Sequence, residues 1–154
     1  MHGKDFRRAP RRAGVILAAA LAAVAGAAPA SAQEGFVVVV NAGNPTSSLT
    51  RQQVSDIFMK RTTEWPGGGG DIKVVDLPAV SPIRDAFSRA IHGRPGAAVA
   101  SFWGQQLFSG RATPPPQRPN DRAVLQFIRG DASAIGYVSP GSVTPDVKIL
   151  RIGS

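Results

Sequence analysis

Residues 74–87 read Val-Val-Asp-Leu-Pro-Ala-Val-Ser-Pro-Ile-Arg-Asp-Ala-Phe, and the fold is decided by where this stretch changes its period. Val74 and Val75 end an apolar run that starts at Ile72, which predicts a short buried strand. The chain then turns and predicts a helix. Ser81 is placed as the N-cap and Pro82 as the first helical residue, and Ile83, Ala86, Phe87, Ala90 and Ile91 recur at i, i+3, i+4, i+7 and i+8. Asp85 falls in the first turn, where a negative charge is stabilising, and Gly93 supplies the stop. A strand followed closely by a helix is the unit of an α/β protein.

The units on either side repeat the pattern. Phe36–Val40 is continuously apolar, as expected of a strand covered on both faces, and the turn residues Asn41–Pro45 end it. Thr50 and Gln53 make a capping box, flanked by Leu49 and Val54 as a hydrophobic staple, and Val54, Ile57 and Phe58 share a helical face. A third helix is predicted over 97–109 with Val99, Phe102, Trp103 and Leu107 inward. Asn120 caps a fourth with Val124, Leu125, Phe127 and Ile128. Between them, Pro114–Pro116 forces an extended surface loop. Ala134–Val138 and Val147–Ile152 read as two further strands. The expected architecture is an α/β layered domain, its sheet mixed or mostly parallel, with helices on both faces.

Residues 1–32 stand apart from this domain. Five basic side chains precede the apolar run Ala13–Ala28, and Ala30-Ser31-Ala32 supplies small residues for cleavage. These are the parts of a cleaved secretory signal, so a periplasmic or secreted product is expected, with no membrane span after processing. Residues 33–154 then form a single domain. The leader carries five of the 18 basic and one of the ten acidic side chains, so the remainder keeps 13 against nine. Its arginines are scattered singly, without the clustered patch of a nucleic-acid reader.

The chemistry available is limited. The chain has no cysteine, which excludes disulfides, thiol catalysis and lipidation at a cysteine. His92 is the one histidine after the leader and reads as a helix-end cap, so neither a metal nor any other cofactor is expected. Asp56, Asp76 and Asp85 could act as acids, but nothing pairs them in sequence, and no nucleophile elbow is present; an enzyme is not expected. Gly67–Gly70 lacks the Gly-Lys-Ser/Thr ending of a phosphate loop and reads as a turn. Trp65, Trp103 and Tyr137 read as packing residues. Ser81 with its neighbouring N–H groups and Arg84 or Arg111 could hold an oxyanion, and Asn44, Ser47 and Ser48 form a second polar cluster; plain capping and turn chemistry is the favoured reading of both.

Three stretches taken in order, residues 38–65, 74–91 and 133–139, resemble the phosphate-binding periplasmic substrate-binding proteins of ABC importers, and in particular their short single-lobe relatives. The similarity rests on Leu-Thr-x-x-Gln-Val-x-x-Ile-Phe with Trp65 and on Ala-Ile-Gly-Tyr-Val. It implies one lobe of a type-II periplasmic-binding-protein-like fold, a small oxyanion such as phosphate as ligand, and an envelope protein or permease as partner. The family's contact loop, Arg-x-x-x-Ser-Gly-Thr, falls with its serine on Ser81, its glycine on Pro82, its threonine on Ile83 and its arginine on Leu77. Arg84, one turn on, is the substitute cation the resemblance offers. The expectation is weak or partner-assisted anion binding. Its alternative is a ligand-free lobe that docks on an envelope protein through the Pro114–Pro116 loop or the helix of Trp103, marked by an exposed apolar patch.

Overall fold

A computed structural model describes residues 35–154. The secretory leader expected over residues 1–32 lies outside them. Within them, β1 (Val37–Asn41) leads to β2 (Ser48–Thr50), α1 (Arg51–Phe58) and β3 (Lys73–Val74). Next come α2 (Pro82–Phe87), a π-helical turn (Ser88–His92), α3 (Gly96–Phe108) and α4 (Asp121–Gly130). β4 (Ala134–Val138), a 3-10 turn (Pro140–Ser142), β5 (Val147–Ile149) and β6 (Arg151–Gly153) complete the order.

The main sheet has the order β3-β4-β1-β5. It is mixed: β1 runs antiparallel to β4 and β5, whereas β3 and β4 are parallel. The register pairs Val38 with Tyr137 and Val39 with Gly136, so alternate residues face opposite layers. Gly136 faces α4, since a Cβ there would stand 2.9 Å from Val124 Cγ1. Tyr137 faces the other way, stacking on Phe87 at 3.9 Å between ring centres and meeting Phe58 at 5.6 Å. The sheet therefore lies between α4 on one face and α1 with α2 on the other, as the uninterrupted run Val37–Val40 demands.

Local sequence signals explain most element starts. Both halves of the Thr50–Gln53 capping box are formed. Ser81 caps α2 with Pro82 in its first turn, and Asn120 caps α4 through Ala123 N. Asn41 closes the far end of α4 by donating to Ile128 O at 2.8 Å.

Three expectations need correction. Val147–Ile152 is two strands, because Leu150 N bonds Val38 O and the next amide, Arg151 N, crosses to Ser47 O. β6 thereby joins β2 in a separate parallel pair. The helix after Ser81 gives way at Ser88 to a π-helical turn. The wider turn shifts the apolar stripe, and Ala90 is exposed where the 3.6 period placed it inward. Leu107 is also exposed: α3 buries Val99 and Trp103, and its last turn runs past the core. No helix among the described residues is long and apolar enough to cross a membrane.

Candidate functional site

β3 and the segment after it carry Val74, Val75, Asp76 and Leu77 into the core, all buried. A carboxylate in such a run needs donors, and three converge on Asp76. Arg84, one turn into α2, places Nη2 at 3.1 Å from Oδ2. Tyr137, across the sheet on β4, donates its hydroxyl to Oδ1, and Leu77 N donates to the same oxygen at 2.8 Å. Arg84 Nη1 also donates to Leu77 O at 3.0 Å. The guanidinium is thus folded back beneath the loop that Ser81 caps, with its side chain only 3% exposed.

The electrostatics follow from burial. Desolvation raises the Asp76 carboxyl above its ordinary range, while Arg84, the Tyr137 hydroxyl and Leu77 N–H pull it back. Tyr137 is pushed up by burial first and by Asp76 second, so it stays a neutral donor. The Arg84 guanidinium and the Asp76 carboxyl group, which accepts from three donors, form a closed, mutually compensating network. No buried side-chain nitrogen or oxygen among the described residues lacks a partner. The network's acid and phenol are both buried, Asp76 7% and Tyr137 1% exposed.

Ser81 sits above this network. Its Oγ accepts from Arg84 N at 3.4 Å, the ordinary work of a cap. It lines an open groove of about 520 Å³ with Leu77, Pro82, Asn120, Asp121 and Arg122. The N-termini of α2 and α4 therefore share one groove. Asp121 is held there by Ser139 N at 3.0 Å and by Ser142 Oγ at 2.8 Å. Val80 stands at the lip, 92% exposed.

The second polar cluster is elsewhere. Asn44 is buried, and its amide is spent on Ala132 O at 3.2 Å and Thr46 N at 2.9 Å. Its carbonyl accepts from Lys148 Nζ. Ser47, just before β2, and Ser48, its first residue, are exposed, and Ser47 O holds Arg151 N. Ala132 lies just past the C-terminus of α4, whereas the Ser81 groove lies at its N-terminus. Ten helical residues span ~15 Å, so the two clusters occupy opposite ends of α4 and do not converge.

Sequence reasoning placed Ser81 and Arg84 in one loop but missed the direction of Arg84. The signal was present: an aspartate between Val75 and Leu77, inside a strand run, requires a buried partner. Among the described residues, no group of three His, Cys, Asp or Glu side chains could hold a metal ion.

Comparison with known proteins bears on the fold. No protein-family model and no curated protein matches the chain. Solved structures do. A phosphate ABC transporter substrate-binding protein from Clostridium perfringens, with bound phosphate, superposes with a TM-score of 0.60 at 24% identity, over 77% of this chain and 44% of that one. An ABC-type phosphate transport receptor from Vibrio cholerae gives 0.55 at 24% identity, over 77% and 46%. A phosphate-binding protein from Stenotrophomonas maltophilia gives 0.56 at 19% identity, over 77% and 39%. The fold is that of periplasmic-binding-protein-like structures, and the chain spans less than half the length of each of these three.

Proposed function

We propose that the protein is an exported, non-catalytic module of the single-lobe phosphate-binding type that works through a protein partner in the envelope, and does not capture free phosphate unaided. One observation carries this reading: Arg84, the cation in the first turn of the capped helix, is paired from within by Asp76. An anion arriving at Ser81 meets a cap hydroxyl and helix N–H groups, with Pro82 contributing no donor. A lobe of this size also leaves one side of any ligand in water, where each contact is screened. Oxyanion contact at Ser81 therefore depends on donors that a partner, such as a transporter subunit or sensor, brings to the open side. In this reading residues 1–32 are removed on export and residues 33–154 act in the periplasm or outside the cell.

A second reading, solute capture by the lobe itself, draws on the groove where the caps Ser81 and Asn120 meet Arg122. Calorimetric titration of residues 33–154 with phosphate separates the two. The partner-dependent reading expects no saturable heat up to millimolar phosphate from the folded chain. Saturable binding that Ser81→Ala weakens would overturn it in favour of capture.

A further inference from the structure

A second cavity lies away from the Ser81 groove, between α1, the π-helical turn and α3. Its volume is about 150 Å³, roughly that which admits a benzene ring. Met59, Ile91, Val99 and Phe102 give it an apolar wall, and Gln52, Arg61, His92 and Arg94 a polar rim. The π-helical turn shapes this site. It delivers His92 so that Nδ1 lies 2.8 Å from Ser55 Oγ, with the ring edge-on to Phe87. Gly93, in the left-handed region at φ 66°, then swings the chain so that Arg94 reaches the rim.

The charge balance of the rim is uneven. Asp56 accepts from Arg61 Nη1 at 3.2 Å and from Gln52 Nε2 at 3.0 Å, so Arg61 is compensated. Arg94 has no carboxylate within ion-pair distance among the described residues. Burial first, and then the charges of Arg61, Arg84 and Arg94, lower His92 to about 4. The imidazole is therefore neutral at physiological pH, in a field that favours an incoming anion. One uncompensated guanidinium suits a single negative charge, and the apolar wall suits a hydrocarbon body. A multiply charged, fully hydrated oxyanion would leave that wall unused.

We propose that this cavity binds a small monocarboxylate with a compact apolar body about the size of an aromatic ring, its carboxylate at Arg94 and its body against Met59, Val99 and Phe102.

The test is an NMR titration of the full chain followed at the imidazole signals. The sequence has two histidines, His2 and His92, and His92→Gln identifies the relevant one. Benzoate is the probe, with benzamide as its uncharged counterpart and inorganic phosphate as the anion without an apolar body. Saturable displacement of the His92 signal by millimolar benzoate, and none by benzamide or phosphate, is expected. Arg94→Gln should weaken benzoate about tenfold. Because Arg94 is exposed, its urea midpoint should be unchanged. Ser81→Ala should leave the titration untouched, which keeps this site distinct from the loop. No response to benzoate, an equal response to benzamide, tighter binding of phosphate, or indifference to Arg94→Gln would each overturn the proposal.

Discussion

At the scale of single residues, one guanidinium turns away from solvent, since Arg84 is 3% exposed and pairs with Asp76. Arg84 could have faced solvent beside Ser81, but α2 starts so close to Asp76 that its first turn brings the guanidinium onto the carboxylate. Removing one member of such a pair strands the other charge in the core, at a cost of about 3 to 5 kcal/mol. Arg84→Met should therefore lower the urea midpoint strongly. The double replacement Asp76→Asn with Arg84→Met should lose less than Arg84→Met alone, since no uncompensated charge remains. Equal losses in the two variants would show that packing of the arginine stem, and not charge, holds the loop. The sequence named Arg84 and Asp76 as polar residues worth attention, but Asp76 meets Tyr137, 61 positions away, and sequence spacing does not reveal such a meeting.

At the scale of elements, close approach governs the sheet. β4 needs Gly136 because a Cβ there would lie 2.8 Å from Val75 Cγ1 and 2.9 Å from Val124 Cγ1. Gly136→Ala should cost ~1–3 kcal/mol by overpacking, measured by urea unfolding. Gly104→Ala, on α3 with nothing within 4 Å, serves as control and should be neutral or slightly stabilising. Helix starts were legible in the sequence because capping is local: Thr50, Ser81 and Asn120 each act within three residues. The β2–β6 pair was not legible. Its strands are three residues each and a hundred positions apart, and the break at Leu150 is set by tertiary hydrogen bonds. The π-helical turn leaves no separate mark in an i, i+3, i+4 pattern, so the His92 cavity it builds was hidden with it.

For the molecule as a whole, apolar packing is divided unequally. α4 sends Val124, Leu125 and Ile128 into the main core, whereas α3 meets a satellite cluster of Met59, Val99 and Trp103. α3 ends in Leu107 and Phe108, 58% and 96% exposed. Hydrogen exchange followed by mass spectrometry should find lower protection in residues 96–108 than in residues 121–130, because fewer buried contacts oppose local opening. Equal protection would mean that the satellite cluster opens only with the main core. The alternation of strands and helices was enough to give the layered class. What the loop's cation does could be read only from three dimensions.

The placement of β1 bears on how the chain is made. Its partners β4 and β5 begin only at Ala134 and Val147, so the ribosome delivers β1 first and its neighbours last. Throughout that interval Val37–Val40 has no sheet to enter, and a short β-branched run without charge is prone to pair with copies of itself. These four valines gain their first sheet partner only when Ala134–Val138 has been made.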